Sequence, residues 1–184
     1  NRTEIKEIGQ NLIFKGIPLF GMEINGTYEK RRTDSLTKNN NILNLFSTNN
    51  YEIIEIQPLA KLGLDAYAYL TVRQRLDSSE INSLEKGDVK RTKTISKEIR
   101  PGFRNKWMEL NIFYILSDQE TFSKTISNLE KMKNEQKQWG VNAFGKASEN
   151  LTFNLSYYRT WNSLVGTTWG INARIGLNFD LSTK

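Results

Sequence analysis

The 184-residue chain contains no cysteine and no histidine. Without cysteine there is no disulfide framework and no thiolate metal site. Without histidine the usual general base and the commonest metal ligand are missing, so Ser-His-Asp and Cys-His mechanisms are excluded. Proline is scarce, at Pro18, Pro58 and Pro101. No run of about 18 apolar residues occurs, which excludes a transmembrane helix but not a membrane barrel, whose hydrophobicity sits on alternate residues. An apolar leader is also missing: Asn1 is followed by RTEIKEIGQ. We expect a chain that is either not exported or the mature part of something longer. No phosphate loop, dinucleotide fingerprint or EF-hand loop is found, so no catalytic, cofactor-binding or metal residue is assigned.

What remains is alternation. Hydrophobic residues make up 38%, charged residues 25%, and the net charge is +6. From Trp169 to Leu181 apolar residues alternate without exception with small or polar ones. That period belongs to a β-strand. The segment EIIEIQPLAKLGLDAYAYLTVRQRL is apolar on its even positions from Ile54 to Val72, while Lys61, Gly63, Asp65, Tyr67, Tyr69, Thr71 and Arg73 hold the odd ones. Similar patterns run through Phe20–Tyr28, Met108–Leu116 and Leu151–Trp161.

Roughly eight antiparallel strands are predicted, near 17–29, 40–47, 54–73, 89–99, 105–117, 138–147, 151–161 and 168–181. Short turns near 48–53, 100–104 and 148–150 would lie at one end with both termini. Longer connections at 30–39, 74–88, 118–137 and 162–167 would lie at the other. Phe122, Ile126, Leu129 and Met132 have near-helical spacing and predict a short helix in the third of these. The expected organisation is an N-terminal extension (1–16), a barrel domain (17–181) and a tail (182–184).

Glycines on the polar side of several strands fit a narrow lumen with the large apolar residues pointing outward. Leu62, Leu64, Leu70, Ile171, Ile175, Leu177 and Phe179 are expected to face lipid. Trp139, Trp161 and Trp169 are expected to form an aromatic girdle, since indole rings favour the membrane interface. Glu23, Asp65, Tyr67, Tyr69, Arg73, Glu109 and Arg174 are expected to line the lumen as a network of opposite charges. The lysine- and arginine-rich run from Lys86 to Lys106 is a solvated stretch or a contact for lipopolysaccharide phosphates. Its poor aromatic interleaving speaks against nucleic acid.

The last forty-odd residues, WGVNAFGKASENLTFNLSYYRTWNSLVGTTWGINARIGLNF, resemble the closing strands of bacterial outer-membrane barrels. They are most similar to the C-terminal hairpins of classical autotransporter translocator domains, with Gly170, Asn172, Ala173 and Phe179 on the terminal-strand pattern. IQPLAKLGLDAYAYL resembles an internal strand of those barrels. The translocator domain has twelve strands, more than this length provides, and ends on its aromatic residue, whereas this chain continues to Lys184. The resemblance implies an antiparallel up-and-down transmembrane β-barrel without cofactor, located in the outer membrane. It would act as an anchor, a surface-contact protein or a narrow pore, with lipid, lipopolysaccharide or other outer-membrane proteins as partners. The competing expectation is a soluble antiparallel barrel or sandwich that turns the same residues inward and binds an apolar ligand or nucleic acid.

Overall fold

The computed structural model describes residues 2–39, 42–63, 65–83, 87–125, 128–146 and 151–177. They form one antiparallel meander of nine strands in sequence order. The strands are β1 (Arg2–Leu19), β2 (Met22–Asn39), β3 (Ile42–Gly63), β4 (Ala66–Ser83), β5 (Asp88–Arg104), β6 (Met108–Lys124), β7 (Leu129–Lys146), β8 (Leu151–Asn162) and β9 (Gly166–Leu177). Every neighbour is the next strand in the chain, so each pairing is a hairpin. The sheet is not closed: among the described residues β1 and β9 are its two edges and pair with no strand beyond β2 and β8.

The turns follow local chemistry. Phe20 and Gly21 both take positive φ, 50° and 76°, which is the type I′ condition that matches strand twist. Asp65 turns the β3–β4 hairpin at φ 57°, a conformation that Asp tolerates better than most residues. Asn105 Oδ1 accepts the backbone N–H groups of Trp107 and Met108, both at 2.8 Å. Asn162 does the same for Leu164 and Val165. These are Asx turns, in which a side chain replaces a backbone acceptor.

Several expectations are corrected. There are nine strands where eight are predicted: 17–29 and 54–73 each span a hairpin turn, while 40–47 and the start of 54–73 are one strand, and residues 2–16 belong to β1 and are no extension. Their period-two signal is weak, since Ile5 and Ile13 lie on one face and Ile8 and Leu12 on the other. The presumed single strand 54–73 is a hairpin. Its register pairs Ala60 with Ala68 and Lys61 with Tyr67, even with even and odd with odd. Apolar parity therefore runs through the turn and conceals it. Residues 48–53 are the middle of β3, not a turn.

No helix occurs among the described residues. Phe122 lies on β6 and Leu129 and Met132 on β7, so the helical spacing is a coincidence across a hairpin. Ile126 lies outside the described residues. The long connections expected at 30–39, 74–88 and 118–137 are mostly strand, so the hairpin turns are short at both ends. With an odd strand count, β1 starts at one end of the sheet and β9 finishes at the other. Arg2 and Leu177, the outermost described residues, are therefore at opposite ends of the sheet.

The core is thin. Among the described residues Leu59, Tyr69, Thr71, Glu98, Asn111 and Phe113 are the buried ones other than glycine, and the register sets them all on one face. The accessible surface is 13428 Å². A compact monomer of this mass exposes roughly 9,000 Å². The excess is a large face with nothing against it.

Candidate functional site

The register sorts the strands into two chemically different faces. On the face opposite the buried residues, called the outer face below and the other the inner, one row crosses all nine strands: Phe14, Gly26, Ile56, Val72, Ile99, Tyr114, Trp139, Arg159 and Trp169. Arg159 is its only charge. Two rows nearer the β3–β4 turn, Ala60, Ala68, Phe103, Leu110, Ala143, Leu155 and Ala173 are opposed in series. On β6 the band runs from Met108 to Leu116, about 27 Å along the strand at ~3.4 Å per residue. That span matches the 9–11 residues a tilted strand needs to cross a hydrocarbon layer.

The band ends at one side in the turns that contain Phe20 and Trp107, 91% and 52% exposed. At the other side it meets polar rows. The first contains Gln74, Lys97, Leu116, Lys137 and Trp161, and the next Lys30, Glu52 and Asp118.

The expected lipid-facing residues fall on this face where they are described. Leu62, Leu70, Ile171, Ile175 and Leu177 all lie on it, and Ile175 on the edge strand is 78% exposed. Leu64 and Phe179 lie outside the described residues. Trp139, Trp161 and Trp169 are also outward, in the two rows where apolar gives way to polar. Trp139 meets Tyr157 edge-on at 5.7 Å, and Lys137 Nζ sits 5.3 Å from the Trp161 ring. These are the contacts of rings with an apolar body and a polar rim. Trp107, at the opposite end, was not singled out by the sequence; its turn position beside Asn105 was the available signal.

Besides the buried Leu59 and Phe113, the inner face carries a cross-linked polar network. Tyr69 donates from its hydroxyl to Glu109, and Asn111 Nδ2 reaches the same hydroxyl at 3.3 Å. Asn142 Nδ2 donates to Asn111 Oδ1 at 3.0 Å, which extends the chain over β4, β6 and β7. Arg73 Nε donates to Glu55 at 2.6 Å, and another of its nitrogens lies 3.6 Å from Glu98. Glu98 also accepts from Arg100. Carboxylates and guanidiniums thus alternate Glu55–Arg73–Glu98–Arg100 across three strands. Tyr67 carries Arg104 over its ring at 5.7 Å.

Of the expected lumen residues, Tyr67, Tyr69, Arg73 and Glu109 join this assembly. Glu23 on β2 and Arg174 on β9 share the face but stand towards its two sides. Asp65 is in the turn and belongs to neither face. The partners that sequence reasoning missed are Glu55, Glu98, Arg100, Asn111 and Asn142. Odd parity continued from Arg73 back to Glu55 marked the first. The others required the register.

Beyond the band the strands carry exposed ion pairs on the outer face: Arg91–Glu80 and Lys133–Glu120, both at 3.0 Å, and Arg32–Asp34 at 3.0 Å. Hydrogen bonds from Arg32 and Thr48 hold the Asp34 carboxyl below its usual range, and Lys133 does so for Glu120. The Lys86–Lys106 run, where described, is β5 and its turns, with bases on both faces.

Among the described residues no group of three metal-capable side chains is assembled. Among the same residues no helix is long and apolar enough to cross a membrane. No protein-family model matches the chain, and no curated protein matches it either.

Proposed function

We propose that this sheet is the wall of an outer-membrane β-barrel that serves as an anchor, a surface-contact protein or a narrow passage, not as a catalyst. The observation that supports the reading most is the division of the sheet. One face carries an apolar band whose row across all nine strands has Arg159 as its only charge, and the other carries a hydrogen-bonded ionic network. Lipid would cover the first face, and water or filling side chains the second. A barrel satisfies all backbone groups in hydrocarbon only when its edges are paired. In a nine-strand meander β1 and β9 run in the same direction, so direct closure would be parallel. Antiparallel closure takes an odd number of further strands.

The soluble alternative turns the apolar face onto a ligand or a second layer. Detergent separates the two. The membrane reading expects a protein that needs detergent or lipid to stay monodisperse; a monodisperse protein in plain buffer contradicts it. Ile171→Lys on the outward face of β9, in the row of Ile112 at the middle of the band, should impair insertion by roughly 2–4 kcal/mol. Asn172→Lys on the inner face of the same strand should insert nearly as the parent does.

A further inference from the structure

The outer face carries a second feature, beyond the apolar band. A concavity of about 740 Å³ opens on it between β2 and β7. Its floor is short and polar, with Thr48, Asn50 and Ser78. Its walls are long: Arg32 and the half-buried Phe46 on one side, Arg91, Lys93, Lys131 and the half-buried Phe122 on the other. Arg91, Phe122 and Lys131 are directly opposed on three successive strands. Four cations line it against two carboxylates, Glu80 and Glu120. Arg91 is paired with Glu80, and Glu120 takes Lys133 from just outside. Among the described residues Lys93 and Lys131 are in no ion pair, so an excess of positive charge is left inside a trough with two aromatic walls.

Its height on the sheet selects the occupant. Lys93 lies four residues beyond Lys97, the first polar row above the band, or about 13 Å along the strand. With the strand tilted by ~40°, that is roughly 10 Å above the hydrocarbon edge. Lys131, six residues beyond Lys137, is roughly 16 Å above it by the same reckoning. The headgroup layer of a phospholipid is only about 5–8 Å thick. A glycerophospholipid phosphate therefore stops short of the trough. A phosphorylated sugar chain on a lipid of the same leaflet reaches it. Its phosphates suit the lysines, its hydroxyls the Thr, Asn and Ser floor, and its C–H faces the phenylalanines.

We infer that this trough binds the phosphorylated sugar of a glycolipid in the leaflet around the barrel. The inference rests on the membrane reading, and the experiment keeps the two apart. The protein is reconstituted into phosphatidylcholine nanodiscs, plain or doped with rough-type lipopolysaccharide or with phosphatidylglycerol, and retained lipid is measured after detergent exchange. The wild type should hold the lipopolysaccharide in preference to phosphatidylglycerol. Lys93→Gln with Lys131→Gln should weaken that by about tenfold. Lys61→Gln with Lys106→Gln, at the other end of the sheet, should leave it unchanged. Each variant's insertion into plain discs is checked first by its heat-resistant gel mobility.

Insertion with no preference for the glycolipid overturns the inference and leaves the membrane reading intact. So does an equal loss from both lysine pairs, which would mean diffuse attraction. Displacement of the lipopolysaccharide by soluble tripolyphosphate at equal phosphate concentration would show a phosphate site indifferent to the sugar, and overturns it too. Failure to insert into plain discs overturns both.

Discussion

At the scale of single residues, the sheet is locked by rings lying over glycines on the adjacent strand. A Cβ added at Gly102 would lie 2.3 Å from the Tyr69 ring, at Gly170 2.4 Å from that of Tyr158, and at Gly145 2.2 Å from that of Phe153. Each glycine is directly opposite its ring in the register. At Gly140 the obstacle is backbone as well, with the Tyr157 carbonyl oxygen 2.3 Å away. Backbone moves less readily than a ring, so Gly140→Ala should destabilise the folded sheet by about 1–3 kcal/mol. Gly63→Ala, which meets nothing within 4 Å, should be close to neutral. Urea unfolding in detergent compares the two; equal midpoints would contradict the packing described. Glu98 poses the electrostatic counterpart. Its side chain is 9% exposed and lies between Arg73 and Arg100. Glu98→Ala leaves two cations facing each other in a half-dry site and should cost roughly 2–4 kcal/mol in the same assay. A change below about 0.5 kcal/mol, usual for an exposed substitution, would show that water screens the network.

At the scale of the strand, the sequence told faces better than it told ends. Alternation around Ile54–Val72 and Trp169–Leu177 identified which residues share a side, because parity depends only on the local backbone period. It concealed the turn at Asp65, where an even-to-even register carries the same parity from β3 into β4. It also missed β1 and the polar halves of β2, β4, β6 and β7. There both faces are hydrophilic, and strand structure rests on cross-strand partners such as Ser35–Ser47 and Lys133–Glu120 that no local pattern reveals. Those polar halves should respond to acid separately from the band. Asp34, Glu80 and Glu120 have carboxyls held below their usual values by Arg32, Asn82 and Lys133 respectively, the largest influence on each. A depressed carboxylate stabilises the folded strand above its unfolded pKa and loses that contribution as pH falls through the folded value. Hydrogen exchange should therefore accelerate in the outer ends of β2, β4 and β6 below about pH 4. Exchange in Leu110–Tyr114 should hold. The pairs are exposed, so about 1 M salt should blunt the difference.

At the scale of the whole molecule, composition excluded histidine and thiolate chemistry. It could not say what lies against the apolar face, since a core and a lipid layer demand the same residues. The register adds that one apolar band runs over a single face of the nine strands, that the tryptophans Trp139, Trp161 and Trp169 stand together at one margin, and that Trp107 stands at the other. All four tryptophans of the chain are thereby placed on the margins of one band. That arrangement makes tryptophan emission the most direct test of the central claim. The refolded protein is mixed with phosphatidylcholine vesicles whose acyl chains carry bromine near the glycerol or near the chain end. If the outer face contacts lipid, emission shifts to the blue and is quenched more by the shallow bromines than by the deep ones. Emission that is indifferent to both, from a protein that stays monodisperse in buffer, would mean that the face is covered by something other than a membrane.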